Sequence, residues 1–220
     1  LQQLQGLIGW WMVRSGLVDR PDVSHYRLAV HLGMALLLYA LLLWASMTHR
    51  RPVSGPSNRP WAVVGLLLLF MGFLTAVYGG LVAGLNAGSQ FNTFPLMAGQ
   101  LVPDGLFVRD PWYSNLTENV MTLQFSHRVL AIATALSVAA FWLRCGRHLT
   151  GPGRRAAAMA VLAVSVQFGL GVATLLSVVW LPLASLHQAG AVALLGVLVW
   201  NAHELWCPIP GGLQMPPRSG

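Results

Sequence analysis

Leu123-Gln-Phe-Ser-His-Arg-Val-Leu-Ala-Ile-Ala-Thr-Ala-Leu-Ser-Val-Ala-Ala-Phe-Trp142 is apolar almost throughout, yet it sets a histidine beside an arginine near its front. Crossing a bilayer takes roughly 20 mainly apolar residues, and this run, extended to 120–143, is long enough. Four more segments qualify, at 27–48, 61–84, 156–180 and 183–205. A sixth, 1–13, is apolar but too short. The whole chain fits that reading, with 220 residues of which 55% are hydrophobic and 9% charged. A soluble domain carries about 25% charged residues. The expected fold is therefore all-α: a polytopic membrane helix bundle with five full transmembrane helices and a partial first one.

Thirteen basic residues against six acidic ones would suggest nucleic acid in a soluble protein. Here there is no lysine and no basic stripe interleaved with aromatics, so nucleic acid is excluded as a partner and membrane lipid takes its place. The arginines fall in the links between apolar runs, where they orient the chain. Arg50, Arg51, Arg59, Arg144, Arg147, Arg154 and Arg155 share one side, joined by Arg218 of the tail. The other side holds Arg14, Arg20 and Arg109 with Asp19, Asp22, Asp104 and Asp110. The arginine-rich side, with the C-terminus, reads as cytoplasm or mitochondrial matrix. Cys145 and Cys207 lie on that reducing side and are expected as free thiols. Link 85–119 faces out, and the Pro- and Gly-rich tail 207–220 is expected to be disordered.

His31-Leu-Gly-Met-Ala-Leu-Leu-Leu-Tyr-Ala-Leu-Leu-Leu-Trp44 aligns without a gap on His187-Gln-Ala-Gly-Ala-Val-Ala-Leu-Leu-Gly-Val-Leu-Val-Trp200. The preceding helices match more weakly, Gln5-x-x-x-Gly9 against Gln167-x-x-x-Gly171. A repeat of this kind makes 1–13 and 27–48 a copy of 156–180 and 183–205. The pair 61–84 and 120–143 then calls for a copy ahead of residue 1, so the expectation is an eight-helix fold of two four-helix halves. Residues 1–50 would be what remains of the N-terminal half, and 51–206 the C-terminal half.

His31, His127 and His187 lie one to two turns inside the outer ends of helices running in the same direction, hence at one depth. Ionisable groups in the bilayer are costly and tend to mark function. Imidazoles facing one another from bundle helices suit the axial positions of a porphyrin iron. Zinc would want further Cys, His or carboxylate at that depth, and a proton relay would want Asp or Glu. The membrane segments offer neither. Arg128 could pair the propionates of a haem, as could Arg27, or either could reach to lipid headgroups. Gln124 and Ser126 could orient an imidazole. The glycines of Gly79-Gly-Leu-Val-Ala-Gly84 permit close approach of a helix or of a flat ring. His25, His49, His148 and His203 read as interfacial, and the tryptophans as an aromatic belt.

Several motifs in order resemble the haem A synthase family, in the branch shared by mitochondria and alphaproteobacteria. They are Tyr78-Gly-Gly-Leu-Val-Ala-Gly-Leu-Asn-Ala-Gly88, Phe91-Asn-Thr-Phe-Pro-Leu-Met97, Gln124-Phe-Ser-His-Arg128 and Leu186-His-Gln188. Gly9-Trp-Trp-Met-Val-Arg-Ser-Gly-Leu17 and Tyr26-Arg-Leu-Ala-Val-His-Leu-Gly33 extend the likeness to nearly the whole chain except the tail. The outer-loop cysteine pairs of another branch are absent from the sequence. The resemblance implies two four-helix halves, each with a histidine pair. By it, His127 and His187 ligate the iron of a haem b, and His31 is one of the pair holding the substrate haem O. The implied reaction is oxidation of the C8 methyl of haem O to the formyl of haem A, for terminal oxidases. The implied partners are the enzyme that makes haem O, an unidentified electron donor and further copies of the chain. The implied location is the bacterial plasma membrane or the mitochondrial inner membrane. The family's Glu-x-x-His-Arg segment, with its catalytic glutamate, would precede residue 1, so the chain alone is expected to be inactive. The competing readings are a bis-histidine membrane cytochrome that passes electrons without substrate chemistry, and a haem or quinone carrier with link 85–119 as its lid.

Overall fold

The computed structural model describes residues 2–16, 22–50 and 59–207. Helix α1 spans Gln2–Val13, α2 His25–Arg50 and α3 Arg59–Gly84. Two short helices, α4 (Ala87–Gln90) and α5 (Asn115–Glu118), lie in link 85–119. Helices α6 (Val120–Arg144), α7 (Gly151–Leu176) and α8 (Leu181–Trp206) complete the order. Among the described residues five helices, α2, α3, α6, α7 and α8, are long and apolar enough to cross a membrane. At ~1.5 Å per residue, their 25 or 26 residues exceed the ~30 Å hydrocarbon layer. Link residues Asp19, Arg20 and Arg51, the Arg59 side chain and tail residues 208–220, with Arg218, lie outside the described parts.

Helix α3 packs on α6 and α8, and α7 packs on the same two, so the four close a bundle with α6 and α8 at opposite corners. Helix α2 lies against α3 and α8, and α1 against α2. In lipid, helices gain from close backbone approach rather than from escaping water. Accordingly a Cβ added at Gly65 would stand 3.1 Å from the Ala202 Cα, and one at Gly72 2.5 Å from Leu198 Cδ1. Leu68, Val138, Ala157, Ala160, Leu198 and Leu205 fill the bundle interior.

Apolarity misplaces α7, which begins at Gly151 rather than 156 and ends at Leu176 rather than 180. Thr150 stands at its N-cap and Pro152 sits in its first turn, where a missing N–H costs nothing. At the other end Val178 and Val179 take φ of 54° and 59°, and the Ser177 hydroxyl accepts from the Trp180 N–H at 3.3 Å. These residues are apolar but turn the chain, and only backbone conformation separates them from the helix.

Link 85–119 is a built cap. Asn115 is fully buried; its amide donates to the carbonyls of Arg109 (2.9 Å) and Trp112 (2.8 Å) and accepts from the Arg109 N–H. Asn119 caps α6 by accepting from the N–H groups of Met121 and Thr122, fixing the helix start two turns before His127. The Tyr78 hydroxyl of α3 donates to the Leu116 carbonyl at 2.8 Å. The Tyr26 hydroxyl of α2 donates to the Glu118 carboxylate and lies 3.0 Å from the Thr117 hydroxyl. Both cysteines are free.

Two readings change. Trp10, Trp11, Trp180 and Trp206 are exposed near helix ends, as a belt requires, but Trp44 stacks edge-on against His203 with centroids 5.1 Å apart. Trp200 donates to Glu204 at 3.0 Å. His203, near the end of α8, is packed inside the protein: it is 2% exposed between α2 and α8, with Nε2 3.2 Å from the Thr48 hydroxyl.

Candidate functional site

His31, His127 and His187 are half-buried and seated in one way, each against a glycine of the helix before it. A Cβ added at Gly9 would meet His31 Cε1 at 3.0 Å; at Gly79 it would meet His127 Cε1 at 3.1 Å; at Gly171 it would meet His187 Cε1 at 2.9 Å. At Gly171 a Cβ would collide with the ring, and at Gly9 and Gly79 it would make the ring give way by a few tenths of an ångström. Adjacent glycines divide the work on α3. Gly79 receives His127 of α6, whereas Gly80 faces Leu32 of α2. The open choice between helix and ring contact thus resolves residue by residue.

Four residues before Gly9 and Gly171 stand Gln5 and Gln167. Gln5 Nε2 lies 3.2 Å from His31 Nδ1 and donates to the His31 carbonyl at 3.1 Å. Gln167 Nε2 lies 3.1 Å from His187 Nδ1 and donates to the His187 carbonyl at 2.9 Å. Four before Gly79 stands Thr75, whose hydroxyl donates to the Met71 carbonyl at 2.7 Å and meets the Thr134 hydroxyl at 3.0 Å. No side chain meets His127 Nδ1, which is sealed in the core alongside the Thr75 backbone. Among the described residues, Nε2 of none of the three rings makes a hydrogen bond, so that nitrogen remains for a ligand.

His127 and His187 come from the opposite corners of the bundle. His31 sits apart, on α2 with α1 behind it. No group of three or more His, Cys, Asp or Glu side chains converges on a metal position among the described residues.

Two of the remaining predicted residues, Arg128 and Gln124, hold the cap. Arg128 donates from Nη2 to the Phe91 carbonyl at 2.8 Å and from Nη1 to that of Leu96 at 3.4 Å, while its Nε is buried without a partner. Gln124 also donates to the Phe91 carbonyl, at 2.8 Å, and so anchors the loop instead of orienting a ring. Arg27 donates to the Trp11 carbonyl at 2.8 Å and lies 4.5 Å from the centroid of the Trp11 ring. The ring-orienting amides, Gln5 and Gln167, were visible in the sequence only as part of the repeat; their spacing of four from a glycine was the signal.

Fold and site together define a polytopic helical membrane protein with imidazoles presented from facing helices near one end. A profile of the cytochrome oxidase assembly protein family, COX15-CtaA, matches residues 1–199, and the chain belongs to that family. The Heme A synthase of Rhodospirillum centenum is 49% identical over 211 residues, covering 93% of this chain and 56% of its own length. That of Nitrosospira multiformis is 44% identical over 211 residues, covering 93% and 59%. The bovine Heme A synthase COX15 is 42% identical over 218 residues, covering 91% and 51%. The chain thus spans between half and three-fifths of the length of these relatives. No solved structure matches it.

Proposed function

We propose that this chain carries the haem b site and part of the substrate site of a haem A synthase, which oxidises the C8 methyl of haem O to the formyl group of haem A. The observation that carries the reading is the paired seat of His127 and His187 across the bundle, in a chain whose relatives bear that name. His127 and His187 would hold the iron of haem b, and His31 would help to hold haem O. Residues 1–50 belong to an N-terminal half and 51–206 to a C-terminal half, with the C-terminus on the cytoplasmic or matrix side.

The residues fit a haem on features of this chain. Gly79 and Gly171 leave the imidazoles the space that a Cβ would fill. Both Nε2 atoms remain for iron, and Arg128 Nε is a buried donor in want of an acceptor, which a propionate would supply. Bound haem b would supply a one-electron redox centre. The chain itself orients the two imidazoles and, through Arg128 and Gln124, ties residues 91–96 of the cap to α6. Electrons come from a donor protein and haem O from the enzyme that makes it.

The test is to express the reading frame with whatever coding sequence precedes Leu1, purify the protein in detergent and identify its extracted haems by chromatography and mass spectrometry. Haem A or its hydroxylated precursor beside haem b is the expected result. Haem b alone, from cells that make haem O, overturns the synthase reading in favour of an electron-transfer cytochrome.

A further inference from the structure

Between α6 and α7, at the end of the bundle away from the cap, the chain folds into a fixed base. Cys145, Gly146 and Leu149 are buried there, and Cys145 and Leu149 join the apolar core that holds Val138, Phe141 and Ala157. The His148 N–H donates to the Cys145 carbonyl at 2.9 Å, and the Leu149 N–H to that of Gly146 at 3.2 Å. A Cβ added at Gly146 would stand 2.5 Å from Trp142 Cε3 and 3.3 Å from the Ala157 Cβ, so the turn lies directly on α6 and α7. With these residues sealed, Arg144, Arg147, His148, Arg154 and Arg155 are all exposed.

Four guanidiniums thus share one short link, and none of them meets a carboxylate among the described residues. The sequence holds no acidic residue between Glu118 and Glu204, and Glu204 is only 8% exposed with Trp200 donating to it. Arg147 Nε donates to His148 Nε2 at 3.3 Å, so the imidazole beside it adds an acceptor but no anion. Arg154 and Arg155 stand near the start of α7, where the field of a helix opposes cations, and its first turn has no acidic residue to balance them. Like charges gathered on a rigid base repel, and an anion from outside the chain relieves that. Along the neighbouring spans Leu143 of α6 and Met159 and Leu162 of α7 present exposed apolar side chains. Arginines beside apolar span surface match a ligand with phosphate at one end and acyl chains at the other.

We propose that the base between α6 and α7 is a binding site for an anionic phospholipid, with Arg144, Arg147, Arg154 and Arg155 taking the headgroup phosphate and the acyl chains lying along α6 and α7. A zwitterionic lipid fits poorly, because its headgroup carries a cation beyond the phosphate that the same arginines repel. The lipid ties α6, which bears His127, to α7, whose Gly171 seats His187.

The experiment takes the same full-frame protein in detergent, adds phosphatidylglycerol, phosphatidylcholine or inorganic phosphate, and reads lipid retention by native mass spectrometry together with the thermal midpoint. Phosphatidylglycerol should be retained and raise the midpoint, an effect that fades with added salt. Phosphatidylcholine and inorganic phosphate should do neither. Arg154→Gln combined with Arg155→Gln should weaken phosphatidylglycerol retention roughly thirtyfold. Arg109→Gln, which removes an exposed arginine of the cap, should leave it unchanged. Undiminished retention by the double variant, equal retention of the two lipids, or a midpoint rise with inorganic phosphate alone overturns the proposal. Where the double variant does not fold, Arg154→Gln and Arg155→Gln decide singly: a loss of roughly fivefold each supports the site, and no loss in either overturns it.

Discussion

Between α1 and α2, and again between α7 and α8, an amide meets the imidazole; between α3 and α6, Thr75 stands in its place with its hydroxyl turned to other partners. The glycine seat is common to all three. The difference separates two requirements. Bringing a ring this close to a helix is easiest where there is no Cβ. Fixing the ring's rotation takes a polar neighbour, which two sites have as an amide and the third does not.

The largest expected effect tests whether the three rings serve one centre or two. His127→Ala or His187→Ala should abolish the low-spin haem b absorbance, while His31→Ala should spare it. Equal loss in all three breaks the division. Next comes the seat itself. Gly171→Val places atoms within 2.9 Å of His187 Cε1, and overpacking of this kind costs about 1–3 kcal/mol. It should appear as poor haem retention, whereas Gly169→Ala, with nothing within 4 Å of its new Cβ, should retain haem normally. If both variants keep their haem, the seat is not tight.

How far the sequence reveals these sites follows from what each contact leaves in the pattern. The five spans are legible because a bilayer imposes length and apolarity on whole segments. Gln5 and Gln167 matched one another in the repeat, but the pattern did not aim them at a ring. That takes the crossing of two helices, and sequence gives only the spacing along one. The end of α7 was illegible for a related reason. Val178 and Val179 are as apolar as the helix before them, and their positive φ has no compositional mark. Gln124, adjacent to the ligand motif in sequence, proved to serve the cap, since its position on α6 directs it at Phe91.

Two smaller effects sharpen the contrast between ring and cap. Arg128→Ala frees the carbonyls of Phe91 and Leu96, so hydrogen exchange across 91–97 should quicken and haem retention fall. Quicker exchange with unchanged retention would confine Arg128 to the loop. Tyr26→Phe removes one tie between α2 and the cap and should cost about 0.5–1.5 kcal/mol, read as a small drop in thermal midpoint with the haem spectrum intact. A spectral change there would mean that the cap and the rings move as one.

The tight turn after Leu176 also sets a timetable. Gln167 and His187 are 20 residues apart in sequence, whereas His127 is separated from its glycine by the whole of link 85–119. Contacts that are local along the chain form before those that must close a long loop. On that ground the α7–α8 hairpin is expected to seat its ring as soon as it forms, and His127 only once α6 packs against α3. One imidazole is ready when its hairpin is made; the other arrives only when the bundle closes.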